Sequence, residues 1–319
     1  MNAIMDETHA DDWSLFNGDS CEVLPHLPDA SVDLAVFSPP FSSTYTYSPS
    51  DRDLGNVPND GVFWEQFGYI SRELLRIMRP GRLVAIHVAN LPAYKNTHGY
   101  SGRRDFRGAT IRHFEQAGFL YHSEITIDKN PQAQAIRTHS HGLLFAQLQR
   151  DARHMWQCWA DYVVVMRAPG DNDVPVKTDL TQEDWIDWAH ATWPATGGCE
   201  VDQASAEWAE RLMSQVWYGI RETDVLGVVE ARENDDERHL CPLQLPVIER
   251  CVRLWSNPGE VILSPFAGIG SEGVGALRNG RKFVGIELKP SYYRVAARNL
   301  RQAAVRATEA TLFDDLASA

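Results

Sequence analysis

Cysteine is scarce and scattered. The chain of 319 residues holds five, at Cys21, Cys158, Cys199, Cys241 and Cys251, with no Cys-x-x-Cys among them. An odd, dispersed set of this kind builds neither a disulfide frame nor a zinc knuckle, so reduced thiols and a cytoplasmic setting are expected. His239-Leu240-Cys241 stands too isolated to be half of a metal site, and no metal is expected. Long apolar runs are missing too. None approaches the roughly 20 residues of a membrane span, which excludes a membrane partner of that kind. Met1 to Asp12 is acidic and polar, without the basic and apolar segments of a secretory signal. Internal repeats and low-complexity tracts are absent. Basic residues are almost missing from the first 70 positions, which hold 12 acids and one base.

What is present is an ordinary globular composition, 44% hydrophobic and 23% charged, with a net charge of −13. Such a charge disfavours nucleic acid, but its distribution is uneven. Residues 71–153 hold 13 bases and 6 acids, and residues 250–306 hold 10 bases and 3 acids. Residues 170–249 hold 5 bases and 18 acids. Two basic blocks therefore lie between acidic ones. Arg103, Arg104 and Arg107, with Arg112 nearby, are candidates for a phosphate-binding face. Any one of them alone reads as solvated helix surface.

Apolar patterning places a buried strand at Val32–Phe37, a helix over 62–79 stopped by Arg79-Pro80-Gly81, and a strand at Leu83–Val88. A helix ending at Gly118 and strands at Phe119–Ile127 and Tyr162–Met166 follow. Gly170 to Lys177 reads as a linker. Beyond it, Trp185, Trp188, Trp193, Trp208 and Trp217 sit in an acidic stretch without α/β alternation, expected to form an inserted region with a small core of its own. Alternation returns with a helix at Leu243–Trp255, strands at Val261–Ser264 and Lys282–Glu287, and a last helix at Ser291–Val305.

Ser38-Pro39-Pro40-Phe41 ends the first of these strands. Two prolines lock the backbone and withhold two N–H donors, so nearby carbonyls stay free to accept hydrogen bonds from a ligand. A polar side chain before them and an aromatic ring after them suit a flat, amine-bearing molecule. The C-terminal ends of strands in open α/β sheets are where ligands bind. Ser42 to Gly61 follows, a long aperiodic stretch of the sort that is functional in compact domains. Tyr45 and Tyr47 within it are candidates to cover the ligand, or plain loop residues.

The second motif is Gly268-x-Gly270-x-x-Gly273 between the Val261–Ser264 strand and a helix. The first glycine would make the turn, the second let a ligand approach, and the third pack helix on strand. Glu287, at the end of the next strand, is placed to bridge ribose hydroxyls. A nicotinamide dinucleotide and S-adenosylmethionine both fit this pattern. Only residues 288–319 remain after Glu287, too few for the further strands of a dinucleotide domain. The missing strands must come from the N-terminal half, so the sheet is circularly permuted.

With these motifs in this order, the chain resembles the permuted, β-type amino-methyltransferases of DNA, which act on cytosine N4 or adenine N6. Ser38-Pro39-Pro40-Phe41 matches the family's catalytic tetrapeptide, and Ser264-Pro265-Phe266-Ala267-Gly268-Ile269-Gly270 its cofactor loop, with serine where aspartate is usual. Gly18-Asp19 and Pro242-Leu243-Gln244-Leu245-Pro246 match further family features. The resemblance implies a Rossmann-like α/β sheet with helices on both faces, a catalytic half at 13–169, an inserted target-recognition region at 170–236 and a cofactor half at 237–306. It implies S-adenosylmethionine held by Asp19, Ser264, Phe266, Gly268, Gly270 and Glu287, with DNA as partner and restriction-modification as setting. A homodimer is compatible with it.

In the mechanism so implied, Ser38 Oγ and the Pro39 carbonyl accept the N–H bonds of a flipped base, Phe41 stacks on it, and the proton leaves to water. Serine first and phenylalanine last lean towards cytosine N4. Two other readings stand beside this one. A nicotinamide-dependent oxidoreductase accounts for the glycines but not the tetrapeptide. A non-catalytic DNA-binding protein keeping the fold would account for Ser264.

Overall fold

The structure is a computed structural model. It describes residues 4–42, 48–127, 129, 145–154, 160–177, 179–182, 185, 188, 216–217, 224–227 and 242–317, with the backbone alone for 216–217 and 308–317. In chain order the strands are β1 (Ile4–Ala10), β2 (Trp13–Gly18), β3 (Val32–Phe37), β4 (Met78–Ala89), β5 (Leu91–Ala93), β6 (Gly102–Arg104), β7 (Leu120–Ile127), β8 (Asp161–Arg167), β9 (Val216–Trp217), β10 (Val261–Ser264) and β11 (Lys282–Glu287). The helices are α1 (Ser20–Val23), α2 (Asp60–Ile77), α3 (Lys95–His98), α4 (Phe106–Ala117), α5 (Phe145–Arg150), α6 (Leu245–Trp255), α7 (Ser271–Arg278) and α8 (Pro290–Ala317). None of the described helices is long and apolar enough to cross a membrane.

Nine strands form one sheet in the order β1-β2-β11-β10-β3-β4-β8-β7-β9. The central five, β2, β11, β10, β3 and β4, run parallel, while β1 and β8 run against their neighbours. The permutation expected from chain order is realised here, with the last two strands seated between β2 and β3. From β3 the chain moves through α2 to β4 on one side; from β10 it moves through α7 to β11 on the other. The strand order therefore reverses between β3 and β10, where Leu34 and Ala35 pair with Ile262 and Leu263. A crevice outside the carboxyl ends of two such strands is the favoured ligand position in open α/β sheets.

Period-two alternation sends successive residues of each strand to opposite faces. Leu34 and Val36 of β3 join the core under α6, α7 and α8, while Ala35 and Phe37 join the core under α2 and α4. Val163 and Val165 of β8 go to the first core, Val164 and Met166 to the second. Both faces are covered, which is why β3 is apolar along nearly its whole length. The exception is Asp33. Its carboxylate accepts the Val261 N–H at 2.9 Å and lies 3.6 Å from Arg82, whose guanidinium is also paired with Glu260 through both nitrogens.

The structure departs from the sequence reading in a few elements. The helix expected over 62–79 ends two residues early, and Arg79-Pro80-Gly81 belongs to β4. The helix stops at Ile77, because Met78 already pairs with Val32 and opens β4, with a register shift and a left-handed Gly81 (φ 73°) absorbing the bend. β1 has no counterpart in the apolar pattern, since as an edge strand it is mostly exposed. The last helix runs on to Ala317. The tryptophans of the inserted region do not make a core of their own where they are described. Trp185 is 52% exposed, and Trp188 lies under Arg250 and Arg253 of α6 at 5.7 and 5.1 Å. Val216–Trp217 extends the main sheet beside β7. Trp193 and Trp208 lie outside the described residues.

Candidate active site

The tetrapeptide leaves β3 where β10 leaves into the glycine loop, so both motifs border one cavity of about 170 Å³. Ser38, Pro39, Pro40 and Phe41 line it together with Asp19, Phe266, Gly268 and Glu287. Phe41 meets Phe106 edge-on at 5.9 Å. Phe266 stacks at 6.1 Å on Phe67 of α2. Each half of the cavity is thus braced by the aromatic core beneath it.

Side-chain bonds lock the strand ends together. Asn17 Nδ2 donates to the Glu287 and Leu288 carbonyls at 2.7 and 3.1 Å. Ser20 Oγ donates to the Pro265 carbonyl. Asp19 caps α1 by accepting the Cys21 N–H at 2.9 Å, and burial raises its carboxyl above the ordinary range against that bond. Glu287 accepts the Gly268 N–H on one oxygen and the Lys289 N–H on the other, both at 2.8 Å. Burial nevertheless pushes its carboxyl up to about 7.

Two of the expected cofactor residues stand elsewhere. Ser264 is fully buried inside β10, away from the cavity, and its Oγ has no hydrogen-bond partner among the described residues. Gly270 serves packing instead of ligand approach. It caps α7 in the left-handed conformation (φ 87°), and a Cβ there would come within 3.2 Å of Ala296 in α8. Gly273 does pack helix on strand, as a Cβ would lie 2.5 Å from Phe283 of β11.

Of the arginines, Arg104 pairs with Asp60 and Arg107 with Glu124, each at 2.7 Å. Both charges are already met within the chain, so a phosphate would have to share them. Arg103 is half-buried in β6, which pairs with β5. Tyr45 and Tyr47 lie outside the described residues.

The sequence reading missed several cavity residues. Glu272, in the first turn of α7, lines the cavity and is 4% exposed, and burial pushes its carboxyl up to about 8. Asp53, Lys289 and Tyr292 line it as well. Only Glu272 carried a signal, as a charge inside the glycine motif. Behind Ser38 lies a further unforeseen set. Ser38 Oγ donates to the His87 carbonyl at 3.1 Å and sits 3.4 Å from His87 Nδ1. His87 Nε2 is 3.1 Å from Asp161 Oδ2, and Lys129 Nζ is 2.8 Å from the same oxygen.

The charge of the cavity discriminates between the two cofactors that the glycine pattern admits. Dinucleotide pyrophosphates sit at the N-terminus of the helix after the glycine loop. Here that first turn carries Glu272, with Asp19, Asp53 and Glu287 around the same cavity. With Arg52 and Lys289 the only cations among the described lining residues, this carboxyl-rich wall suits a cationic sulfonium and ammonium, which favour its ionised forms, better than a pyrophosphate.

Residues 32–298 match the family described as DNA methylase. The chain belongs to this family. It is a DNA methyltransferase whose cofactor is S-adenosylmethionine. The type II methyltransferase M.BglI of Bacillus subtilis is 23% identical over 319 residues, covering 90% of this chain and 85% of that protein. The Thermus thermophilus protein TTHA0409, solved in complex with S-adenosyl-L-methionine, superposes with a TM-score of 0.58 at 24% identity, over 91% of this chain and 95% of that one. The cytosine-N4-specific PvuII DNA methyltransferase superposes with a TM-score of 0.59 at 16% identity, over 93% of each chain. These likenesses establish the permuted methyltransferase fold. The cavity residues fit such a cofactor, since Asp19, Phe266 and the buried carboxyl of Glu287 line the cavity together.

Proposed function

We propose that this DNA methyltransferase modifies the exocyclic amine of a base rotated out of the duplex, cytosine N4 ahead of adenine N6. The observation that carries the reading is the shared cavity. Ser38–Phe41 and the glycine loop are more than 200 residues apart along the chain and line it together. S-adenosylmethionine, when bound, supplies an electrophilic methyl group on a sulfonium. Everything else is positioning and electrostatics from this chain's residues.

A nucleobase amine is a weak nucleophile because its lone pair is delocalised into the ring. Ser38 Oγ directs its own O–H at the His87 carbonyl, so its lone pairs can accept one amine N–H. The Pro39 carbonyl accepts the other. Two such acceptors favour a pyramidal nitrogen whose lone pair points across the cavity. Phe41 provides a face on which the base stacks. A target atom inside a duplex is out of reach of a buried cavity, which is why rotation of the nucleotide belongs to the reading. Cytosine is favoured because serine opens the tetrapeptide and phenylalanine closes it. The region 170–236 is proposed to read the target sequence, and the type II methyltransferases among its relatives support a restriction-modification setting.

Replacing Ser38 by alanine should abolish methyl transfer while leaving calorimetric binding of S-adenosylhomocysteine unchanged; full activity in Ser38→Ala overturns the assignment. Nucleoside mass spectrometry of DNA from cells expressing the protein identifies the base directly. N4-methylcytosine is the expected product, and N6-methyladenine alone would reverse the preference.

A further inference from the structure

His87, Asp161 and Lys129 stand in single file behind Ser38, and nothing in the fold requires them to. The ladder between β4 and β8 already joins the strands of His87 and Asp161 through seven residue pairs. Their side chains are 10%, 13% and 1% exposed. Buried ionic groups cost desolvation, and apolar residues of the same volume are often as stabilising or more so. A polar file of this kind, aimed at a residue proposed to touch the reacting amine, has a use beyond folding.

The hydrogen bonds fix the proton positions. Burial pushes the Asp161 carboxyl up, but Lys129 and His87 together hold it well below the ordinary carboxylate range, so it is ionised. An ionised carboxylate only accepts, so His87 Nε2 carries the ring proton. In the neutral imidazole Nδ1 then presents a lone pair, and the hydroxyl of Ser38 stands 3.4 Å in front of it. The hydroxyl proton has two acceptors within reach, the His87 carbonyl and His87 Nδ1. Contacts of this length in an unliganded site tighten when substrate enters.

We propose that His87, held by Asp161 and Lys129, positions Ser38 and receives through it the proton that the methylated amine must lose. The inference rests on the reading of Ser38 as acceptor for that amine. As the new carbon–nitrogen bond forms and the carbon–sulfur bond breaks, the amine nitrogen becomes cationic. One of its N–H protons passes to Ser38 Oγ, and its bonding pair stays on nitrogen as the restored lone pair. The hydroxyl proton of Ser38 passes at the same time to His87 Nδ1, leaving serine neutral. The resulting imidazolium is held by Asp161 at Nε2 and gives its proton to water before the next turnover. No oxidant, reductant or co-reactant is required. A neutral serine is a poor proton acceptor by itself; His87 supplies the basicity that it lacks, in place of the bulk water expected from sequence.

The test uses the full chain, tritiated S-adenosylmethionine and DNA extracted from a host without DNA methylation, read as single-turnover methyl transfer. His87→Asn keeps an oxygen near the place of Nδ1 but cannot take up a proton. Its rate should fall by about 100-fold or more, with unchanged S-adenosylhomocysteine affinity and a melting transition like that of the parent. Asp161→Asn, which removes the charge that holds the imidazolium, should fall in the same direction. A His87→Asn protein that folds, binds S-adenosylhomocysteine normally and keeps more than a tenth of the parental rate overturns the proposal. Should His87→Asn not fold, His87→Gln is read by the same criterion. The Ser38→Ala protein separates the two readings. If it is inactive while His87→Asn is active, only the relay fails; if it is fully active, the role of Ser38 fails and the relay with it.

Discussion

Glu272 is a buried carboxyl group facing a cavity, and the charge acting on it among the described residues is another carboxyl, Glu287. Both titrate near neutrality, at about 8 and about 7, for want of water. The native state therefore binds more protons than the unfolded chain from the ordinary carboxyl value of 4.5 up to about 8. Stability without cofactor should fall as pH rises through that window. A cationic cofactor reverses the preference by favouring the ionised forms. Binding of S-adenosylmethionine at pH 7.5 should accordingly release protons, measured by calorimetry in buffers of different ionisation enthalpy. Glu272→Gln should release fewer, and net proton uptake by the parent protein would refute the charge argument. At this scale the sequence was only partly legible. Ser38, Asp19 and Glu287 announce themselves because each stands in a local motif. His87 and Asp161 do not, since His87 lies 49 residues from Ser38 and Asp161 a further 74 from His87.

Among the elements, α7 shows how a glycine motif divides its labour. Its glycines at 270, 273 and 275 are pressed against α8, β11 and α6, so they answer to packing, while the cavity is served by the loop before them and by Ser271 and Glu272 of the first turn. An alanine at 273 would put a methyl 2.4 Å from Leu300 Cδ2 and 2.5 Å from Phe283 Cδ1, both fully buried. Overpacking of this sort costs roughly 1–3 kcal/mol, more than the ~0.5–1 kcal/mol that alanine gains over glycine within a helix. Gly273→Ala should therefore lower the denaturation midpoint in urea; an unchanged or raised midpoint would mean that α7 can shift freely. The elements around this motif were also the most legible. β10 and β11 occur at the limits that apolar runs and turn residues set, because both are central, fully covered strands. β1 was illegible for the opposite reason, with an exposed edge and no apolar alternation. The opening of β4 was misread because pairing of Met78 with Val32 overrides the turn chemistry of Arg79-Pro80-Gly81.

Across the whole molecule, the two ends of the sheet do different work. The carboxyl ends of β3 and β10 make the cavity, and their amino ends are clamped by Arg82 between Asp33 and Glu260. Arg82 is 2% exposed and joins residues from both halves of the permuted chain. Arg82→Met would leave Glu260 without its cation and Asp33 with Arg79 alone, at 3.4 Å, and breaking a buried pair costs about 3–5 kcal/mol. The expected result is a large drop in melting temperature with one cooperative transition. A wild-type melting temperature would show that the clamp is dispensable. The seam that Arg82 closes also governs when the enzyme comes into being. Asp33 and Val261 are 228 residues apart, so a growing polypeptide on the ribosome displays the half with Ser38–Phe41 long before the half with the glycine loop exists. Methylation must await synthesis of the final strands, and a prematurely terminated product carries the tetrapeptide with no methyl donor beside it.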